Sequence, residues 1–293
     1  MAAKNLPLIK SPIPRWIGSK RTQLKYLLPI VPPYALACEV FGGAAWLSFN
    51  LEGRRVVNDR DPELINVYRQ IAENGESLAR KLYFSVSSRH LLALIASSRD
   101  ERPFQRAYRF LYINKTGFNA RMWRPTYAVR KKTAAGNIFS FAPFARHIRA
   151  CQAICRDIEF SNLPWQQALS AYDDPETFFY LDPPYPGCER YYGPGMFDLS
   201  DFNLMADALA KIQGKFLLSL PADEKTLALF SGFRIREIPV IYLINNIRKT
   251  RAREYVIANY DLPASIKPSR IPGSALGQAE LMTEGEKDRL FKG

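Results

Sequence analysis

Apolar positions along the chain change their period repeatedly, and the changes mark out alternating helices and strands. Residues 19–28 have helical spacing and are stopped by Pro29 and the Pro32-Pro33 pair. An apolar run over 36–41 ends in Gly42-Gly43 and predicts a strand followed by a glycine turn; residues 44–51 then have helical composition. Arg54-Arg55-Val56-Val57-Asn58 predicts a second short strand. A helix over 61–71 follows, with Asp61 as its N-cap and Pro62 at the first helical position, where a missing N–H costs nothing.

From 77 to 114 the spacing is mostly helical and predicts two or three helices without a strand, whereas 115–143 has no period and reads as an insertion. Regular structure resumes with a helix over 146–156, a strand over 158–160 and a strong strand over 177–181. Further strands are expected at 216–220, 233–239 and 254–259, with helices at 202–212 and 223–230. The alternation predicts an α/β fold built on a doubly wound sheet from which a basic, mostly helical insertion projects. Residues 1–76 and 146–261 would form the sheet domain, 77–145 the insertion, and 262–293 a loosely held tail rich in Pro, Gly, Glu and Lys. No internal repeat is evident.

Composition narrows the function classes. The 293 residues are 47% hydrophobic, yet no apolar run approaches the roughly 20 residues of a membrane-spanning helix. No secretory signal is evident at the N-terminus, so a cytoplasmic protein is expected. Cys38, Cys151, Cys155 and Cys188 form no CxxC pair or dense framework, which fits a reducing compartment. His147, Cys151 and Cys155 share a helical face at four-residue spacing, but a fourth ligand from another element is missing, so core packing is expected and no metal. The net charge of +13 suggests a polyanionic partner. Its distribution says more: residues 102–150 contain eleven Lys or Arg and no Asp or Glu, interleaved with Phe104, Tyr108, Phe118, Trp123, Tyr127 and Phe139. A solvated basic face would also be charged, but the interleaved rings favour a surface that tracks phosphates and stacks on bases.

The chemistry-bearing motifs lie where strands end. Glu39-Val40-Phe41-Gly42-Gly43-Ala44 occupies a strand-to-helix turn, where small residues let a ligand approach the backbone. The GxGxxG spacing of dinucleotide dehydrogenases is absent. Asp59 follows the second strand, where an acid can accept from ribose hydroxyls, although a turn role before Asp61 is equally simple chemistry. The sharpest feature is Phe178-Phe179-Tyr180-Leu181-Asp182-Pro183-Pro184-Tyr185, an apolar strand ending in a carboxylate, two prolines and an aromatic ring. Two prolines fix the backbone and remove two N–H donors, leaving carbonyls that only accept. An exocyclic amine needs such acceptors: its lone pair is delocalised into the ring until its hydrogens are held. Asp182 and the Pro183 carbonyl can hold them and stabilise positive charge developing on nitrogen, with Tyr185 stacked on the base. Because the amine is paired within a duplex, the nucleotide would have to be extruded.

Taken together these residues resemble the Dam-type family of DNA adenine methyltransferases, particularly members encoded by phages and prophages and associated with restriction-modification. The likeness runs from Pro14 to Tyr260. Arg15-Trp16-Ile17-Gly18-Ser19-Lys20 looks like the family's N-terminal cofactor motif, residues 39–45 its glycine turn, Asn58-Asp59 its ribose acid, residues 109–121 the opening of its target-recognition region, and Asp182 to Tyr185 its catalytic motif. The resemblance implies a Rossmann-like methyltransferase sheet and S-adenosylmethionine as cofactor. It implies a cofactor site drawn from Trp16, Lys20, Glu39, Phe41, Gly42, Gly43, Asp59 and Asp182, with Lys20 suited to the cofactor's carboxylate, and catalysis by Asp182, Pro183, Pro184 and Tyr185. Double-stranded DNA is the implied partner, with Lys115, Asn119, Arg121, Arg124, Arg130, Lys131 and Lys132 on its surface and the protein acting as a monomer. The chain departs from the family at Ala44-Ala45, where a second separated glycine is common, and any base-reading hairpin between Lys115 and Pro143 must be short. Cytosine N4, RNA-base or protein-glutamine methylation, and a DNA-binding module with a decayed cofactor site, are the alternatives this reading leaves open.

Overall fold

The strands of the sheet centre form on short apolar runs, as at Leu36–Glu39, Thr177–Leu181 and Lys215–Pro221. A computed structural model describes residues 9–269 except 14, 17, 119–121, 123, 129–139, 186–198 and 245–247. Among these, β1 (Leu36–Glu39), β2 (Arg54–Asn58), β3 (Ile158–Ser161), β4 (Thr177–Leu181), β5 (Lys215–Pro221), β6 (Arg234–Ile244) and β7 (Arg248–Ala258) make one sheet in the order β3-β2-β1-β4-β5-β7-β6. β1 runs parallel to β2 and β4, β2 to β3, and β4 to β5; β7 is antiparallel to both β5 and β6. Cys38 stands opposite Val56 on one side and Phe179 on the other. Hence the residues just past β1, β2 and β4 meet at one edge of the sheet. In open α/β sheets this carboxyl edge is where ligands bind.

Eight helices flank the strands among the described residues: α1 (Leu24–Leu27), α2 (Pro62–Tyr83), α3 (Arg89–Ser97), α4 (Pro103–Thr116), α5 (Ala142–Arg156), α6 (Trp165–Tyr172), α7 (Leu199–Leu209) and α8 (Glu224–Leu229). The period of two along the strands sends alternate side chains to opposite layers. Ala37, Val57, Phe178, Tyr180 and Leu217 share a core with residues of α2, α4 and α5. Cys38, Val56, Phe179, Leu181, Phe216 and Leu218 share the other with Trp165, Leu169, Phe202 and Met205 of α6 and α7. All five residues of β4 are buried, so it reads as a continuous apolar run, as a strand covered on both faces should.

Several expected elements take a different form. The helix over 19–28 is a short α1 between 3-10 turns at Lys20–Thr22 and Leu28–Ile30. No α-helix forms over 44–51; turns lead instead to a 3-10 segment, Ser48–Asn50. Ala45 has φ +51, outside helical geometry, and the Glu39 carboxylate accepts both the Ser48 N–H and its hydroxyl, satisfying them outside a helical ladder. The helix expected to end at 71 continues to Tyr83 through a kink at Asn74, whose side-chain amide donates to Gln70 Oε1 at 3.0 Å. Asp61 does cap it, accepting from Glu63 N and Leu64 N. Helix α6 is an addition to the expected elements, and β6 and β7 extend beyond the expected spans to form a long antiparallel pair.

Within residues 77–145 lie the end of α2 and all of α3 and α4, with α4 packed on α2 and α2 on α5. After α4 the chain pairs briefly with itself: Phe118 N donates to Thr126 O at 2.7 Å and Ala128 N to Thr116 O at 3.0 Å. Cys151 and Cys155 are buried in the core, and His147 Nε2 lies 2.8 Å from Ser11 O, fastening the N-terminal arm. Among the described residues no group of His, Cys, Asp and Glu could hold a metal, and no helix is long and apolar enough to cross a membrane. Of the tail, 262–269 stays on the body, where Ser269 N donates to Lys25 O at 2.8 Å; Cys188 and residues 270–293 lie outside the described set.

Candidate active site

Asp182 is the first residue past β4 and is mostly buried, with 16% of its side chain exposed. Its Oδ1 lies 2.9 Å from Lys20 Nζ. Lys20 enters from the opening 3-10 turn and is itself only 5% exposed. The same ammonium donates to both oxygens of Glu254 on β7 at 3.2 Å and to the Tyr185 hydroxyl. Tyr185 in turn donates to Glu254 Oε1 at 2.7 Å, and its ring lies with its centroid 4.7 Å from Lys20 Nζ. Three N–H donors of one ammonium thus face four acceptor atoms on three side chains, so at least one donor is shared. Lys20 would have to exchange one of them to take a cofactor carboxylate.

Burial and neighbouring charge together set the protonation of this cluster. Burial is the largest influence on Lys20 and opposes its charge, but Asp182 and Glu254 together outweigh it and raise its pKa. Burial pushes Asp182 up to about 6, Lys20 pulling it down and Glu254 repelling it. Two carboxylates against one ammonium leave a net negative cluster, suited to a cation or to positive charge that develops during a reaction.

A second group of residues lies around the turn after β1. Gly43 N donates to Asp59 Oδ2 at 2.8 Å, and Asp61 N donates to Oδ1 at 2.9 Å. The turn role of Asp59 is therefore real, though a carboxylate has about four lone-pair positions and can still accept from hydroxyls. Burial raises Asp59 to about 6. A Cβ on Gly42 would stand 2.6 Å from Val57 Cγ1 and 2.9 Å from Asn58 O; one on Gly43, at φ +48, would stand 2.7 Å from Trp16 Nε1. Both glycines are needed for close approach, the second by Trp16, which also stacks on Phe110 at 6.3 Å. Glu39 is almost wholly buried and is raised to about 7 by burial, with Ser48 opposing and Asp182 adding to the rise. Its carboxylate accepts from the Ser48 N–H and hydroxyl, with a further backbone hydrogen bond from Leu47, so it braces the segment that follows the turn. Phe41 is half-buried against the α6–α7 layer. Ala44 and Ala45 are buried in the opposite core and fill it with methyl groups.

The candidate DNA residues are less well placed. Lys115 is partly buried, its ammonium 5.5 Å from the Phe144 ring, and burial lowers its pKa. Arg124 is exposed, at φ +46. Asn119, Arg121, Arg130, Lys131 and Lys132 lie outside the described residues. Arg15 Nη1 donates to Gly117 O and Asn114 Nδ2 to Arg15 O, which joins the N-terminal motif to the start of the insertion. Glu254 is a site residue that the sequence motifs do not include. The signal for it was a carboxylate inside a strand otherwise suited to burial, a placement rare without a charged partner.

Comparison with known proteins identifies the family of the chain. Residues 16–244 match the model of the D12 class N6 adenine-specific DNA methyltransferases. The chain is 27% identical over 281 residues to the Type II methyltransferase M1.LlaDCHI of Lactococcus lactis subsp. cremoris, covering 85% of this chain and 95% of the relative. It is 25% identical to the Type II methyltransferase M.CviBI of Paramecium bursaria Chlorella virus NC1A, covering 76% and 87%. It is 22% identical to the DNA adenine methylase of Haemophilus influenzae, covering 78% and 86%.

Proposed function

This chain belongs to the D12 class N6 adenine-specific DNA methyltransferase family, and from that premise we propose that methyl transfer takes place at the carboxyl end of β4, with Asp182 and the Pro183 carbonyl gripping the adenine amine. The enzyme methylates N6 of adenine in DNA. Family and fold imply S-adenosylmethionine, which when bound would supply an electrophilic methyl on a sulfonium sulfur, the S–CH3 bond giving its electron pair to a neutral thioether leaving group. The residues fit such a group: a close-approach glycine turn, an acid at the end of the next strand and a net negative cluster lie along one edge of the sheet. Trp16, Lys20, Glu39, Phe41, Gly42, Gly43, Asp59 and Asp182 are the residues we assign to holding it.

Asp182 accepts one amine hydrogen and the Pro183 carbonyl the other, drawing nitrogen toward tetrahedral geometry and making its lone pair available. As the N–C bond forms, the nitrogen becomes cationic and the Asp182 carboxylate stabilises it without moving. The surplus N6 proton then has an acceptor in Asp182, which at about 6 is ionised near neutrality yet basic enough to take it. Tyr185 stacks on the extruded base and recovers part of a cost of about a few kcal/mol. We assign DNA contact and target choice to residues 77–145, with α3, α4 and the paired segments after α4 as the scaffold.

The observation that carries this reading is the mostly buried, ammonium-held Asp182 beside Tyr185. The test is incorporation of labelled methyl into duplex DNA prepared without adenine methylation, followed by nucleoside analysis. N6-methyladenine is the expected product. N4-methylcytosine, or transfer to RNA in preference to DNA, would overturn it.

A further inference from the structure

Glu254 lies 69 residues beyond Tyr185 and 234 beyond Lys20, yet it touches both. It is completely buried, at 0% exposure. A carboxylate is kept in such a place only when paired and hydrogen-bonded, and this one accepts an ammonium on both oxygens and a phenol on one. Its contacts reach both ends of the tetrapeptide: Tyr185 directly and Asp182 through the shared Lys20. β7 supplies it from a strand hydrogen-bonded to β5 and β6, so its backbone is fixed by the sheet rather than by a loop.

We propose that Glu254 is the positioning residue of the adenine site, holding the Tyr185 ring for base stacking and sharing the Lys20 ammonium, which stands 2.9 Å from Asp182 and 3.2 Å from Glu254, so that the Asp182 carboxylate keeps lone pairs for the amine. The inference rests on the function proposed above. Without Glu254, the Lys20 ammonium turns fully onto Asp182, which then competes with adenine for the same lone pairs. The Tyr185 hydroxyl simultaneously loses the acceptor that fixes its ring plane. Angular freedom of the platform and a neutralised acceptor both act on the chemical step more than on DNA capture, because neither group faces phosphate.

The test uses the full chain in single-turnover methylation of unmethylated duplex DNA across pH 5–9, comparing wild type, Glu254→Gln, Glu254→Asp and Tyr185→Phe. Glu254→Gln keeps an acceptor for the phenol but loses the charge. Its rate at pH 8 should fall about tenfold to a hundredfold, the scale of a misplaced reacting group, with DNA affinity within about twofold. Its acid limb should move to lower pH, because repulsion from Glu254 no longer holds a proton on Asp182. A role in folding alone would not move that limb. Glu254→Asp keeps the charge and should recover part of the rate and the original limb. Tyr185→Phe keeps the ring and loses only the anchored hydroxyl; it should lower the rate severalfold, and it decides the matter should Glu254→Gln fail to fold. Transfer by wild type establishes the underlying function, whereas wild-type rates and limbs in Glu254→Gln and Tyr185→Phe would overturn the role of Glu254 alone.

Discussion

Gly43 gives its backbone N–H to Asp59 Oδ2 at 2.8 Å, so the turn after β1 and the acid after β2 hold each other in place. The same hydrogen bond explains why neither could be read as a cofactor residue with nothing else to do: each is also part of the other's support. Gly42 makes the neighbouring close approach, with its N–H on Asn58 O. The turn is thus held by one backbone carbonyl and one carboxylate at the end of β2, and its glycines are there because a Cβ has no room.

Gly42→Ala should therefore destabilise the fold by about 1–3 kcal/mol, the usual cost of forcing an extra carbon into packed atoms. Val57 Cγ1 and the Asn58 carbonyl are stiff neighbours, so little relief is possible. Gly53→Ala is the control: its Cβ meets open space, and only its φ of +78 resists, at about 1–2 kcal/mol. Thermal melts of the two proteins should place the first lower. Equal melting points would mean that the turn relaxes freely.

Asp182 gives a pH prediction. Burial raises its pKa to about 6, so the acceptor form is complete above that value and is lost as pH falls through it. Single-turnover methylation should fall about tenfold per pH unit on the acid side, with its bend near 6. An unperturbed aspartate would place the bend near 4. Asp182→Ala should abolish transfer at every pH and leave DNA affinity nearly unchanged, since its carboxylate is held by the Lys20 ammonium and is assigned to the adenine amine rather than to phosphate.

Glu39 tests the linkage between burial and stability. Its pKa is about 7 in the folded chain against 4.5 ordinarily, so the folded state binds the proton more tightly than the unfolded state. The corresponding stability is present below about 4.5 and is lost as pH rises through 7, by at most about 3 kcal/mol. Glu39→Gln keeps an oxygen for the Ser48 N–H and hydroxyl but cannot ionise. Its melting temperature should fall less between pH 5 and 8 than that of the wild type. Parallel curves would show that Glu39 does not carry this dependence.

The sheet was legible because its strands obey simple rules: β4 is an unbroken apolar run, and Asp61-Pro62 announces a helix by capping chemistry. The place of Asp182-Pro183-Pro184-Tyr185 was legible for the same reason, since these residues follow directly where such a strand must end. The absent helix at 44–51 was not, because its composition is helical and only Ala45 at positive φ, with Glu39 bracing Ser48, overrides it. Nor was the network around Lys20. Its members come from residues 20, 182, 185 and 254, and no period or spacing along a chain reports that a strand added antiparallel at the far side of the sheet will carry a carboxylate back to β4's end.

Charge along the chain favours residues 102–150 as the DNA surface. Arg253 is exposed and paired with Glu237 at 2.8 Å, which blunts its claim on a phosphate; within 102–150, Arg102, Arg106 and Arg149 are likewise paired with Asp100, Glu63 and Glu76, so the claim of that stretch falls on its other cations. Alanine at Arg121, Arg124, Lys131 and Lys132 together should weaken DNA binding and flatten the slope of log K against log salt, by roughly 0.9 for each phosphate that is no longer neutralised. Alanine at Arg248, Lys249, Arg251 and Arg253 should change the slope less. Binding isotherms over a range of salt distinguish the two sets, and a flattened slope confined to the second would move the phosphate-tracking face from the insertion to β7.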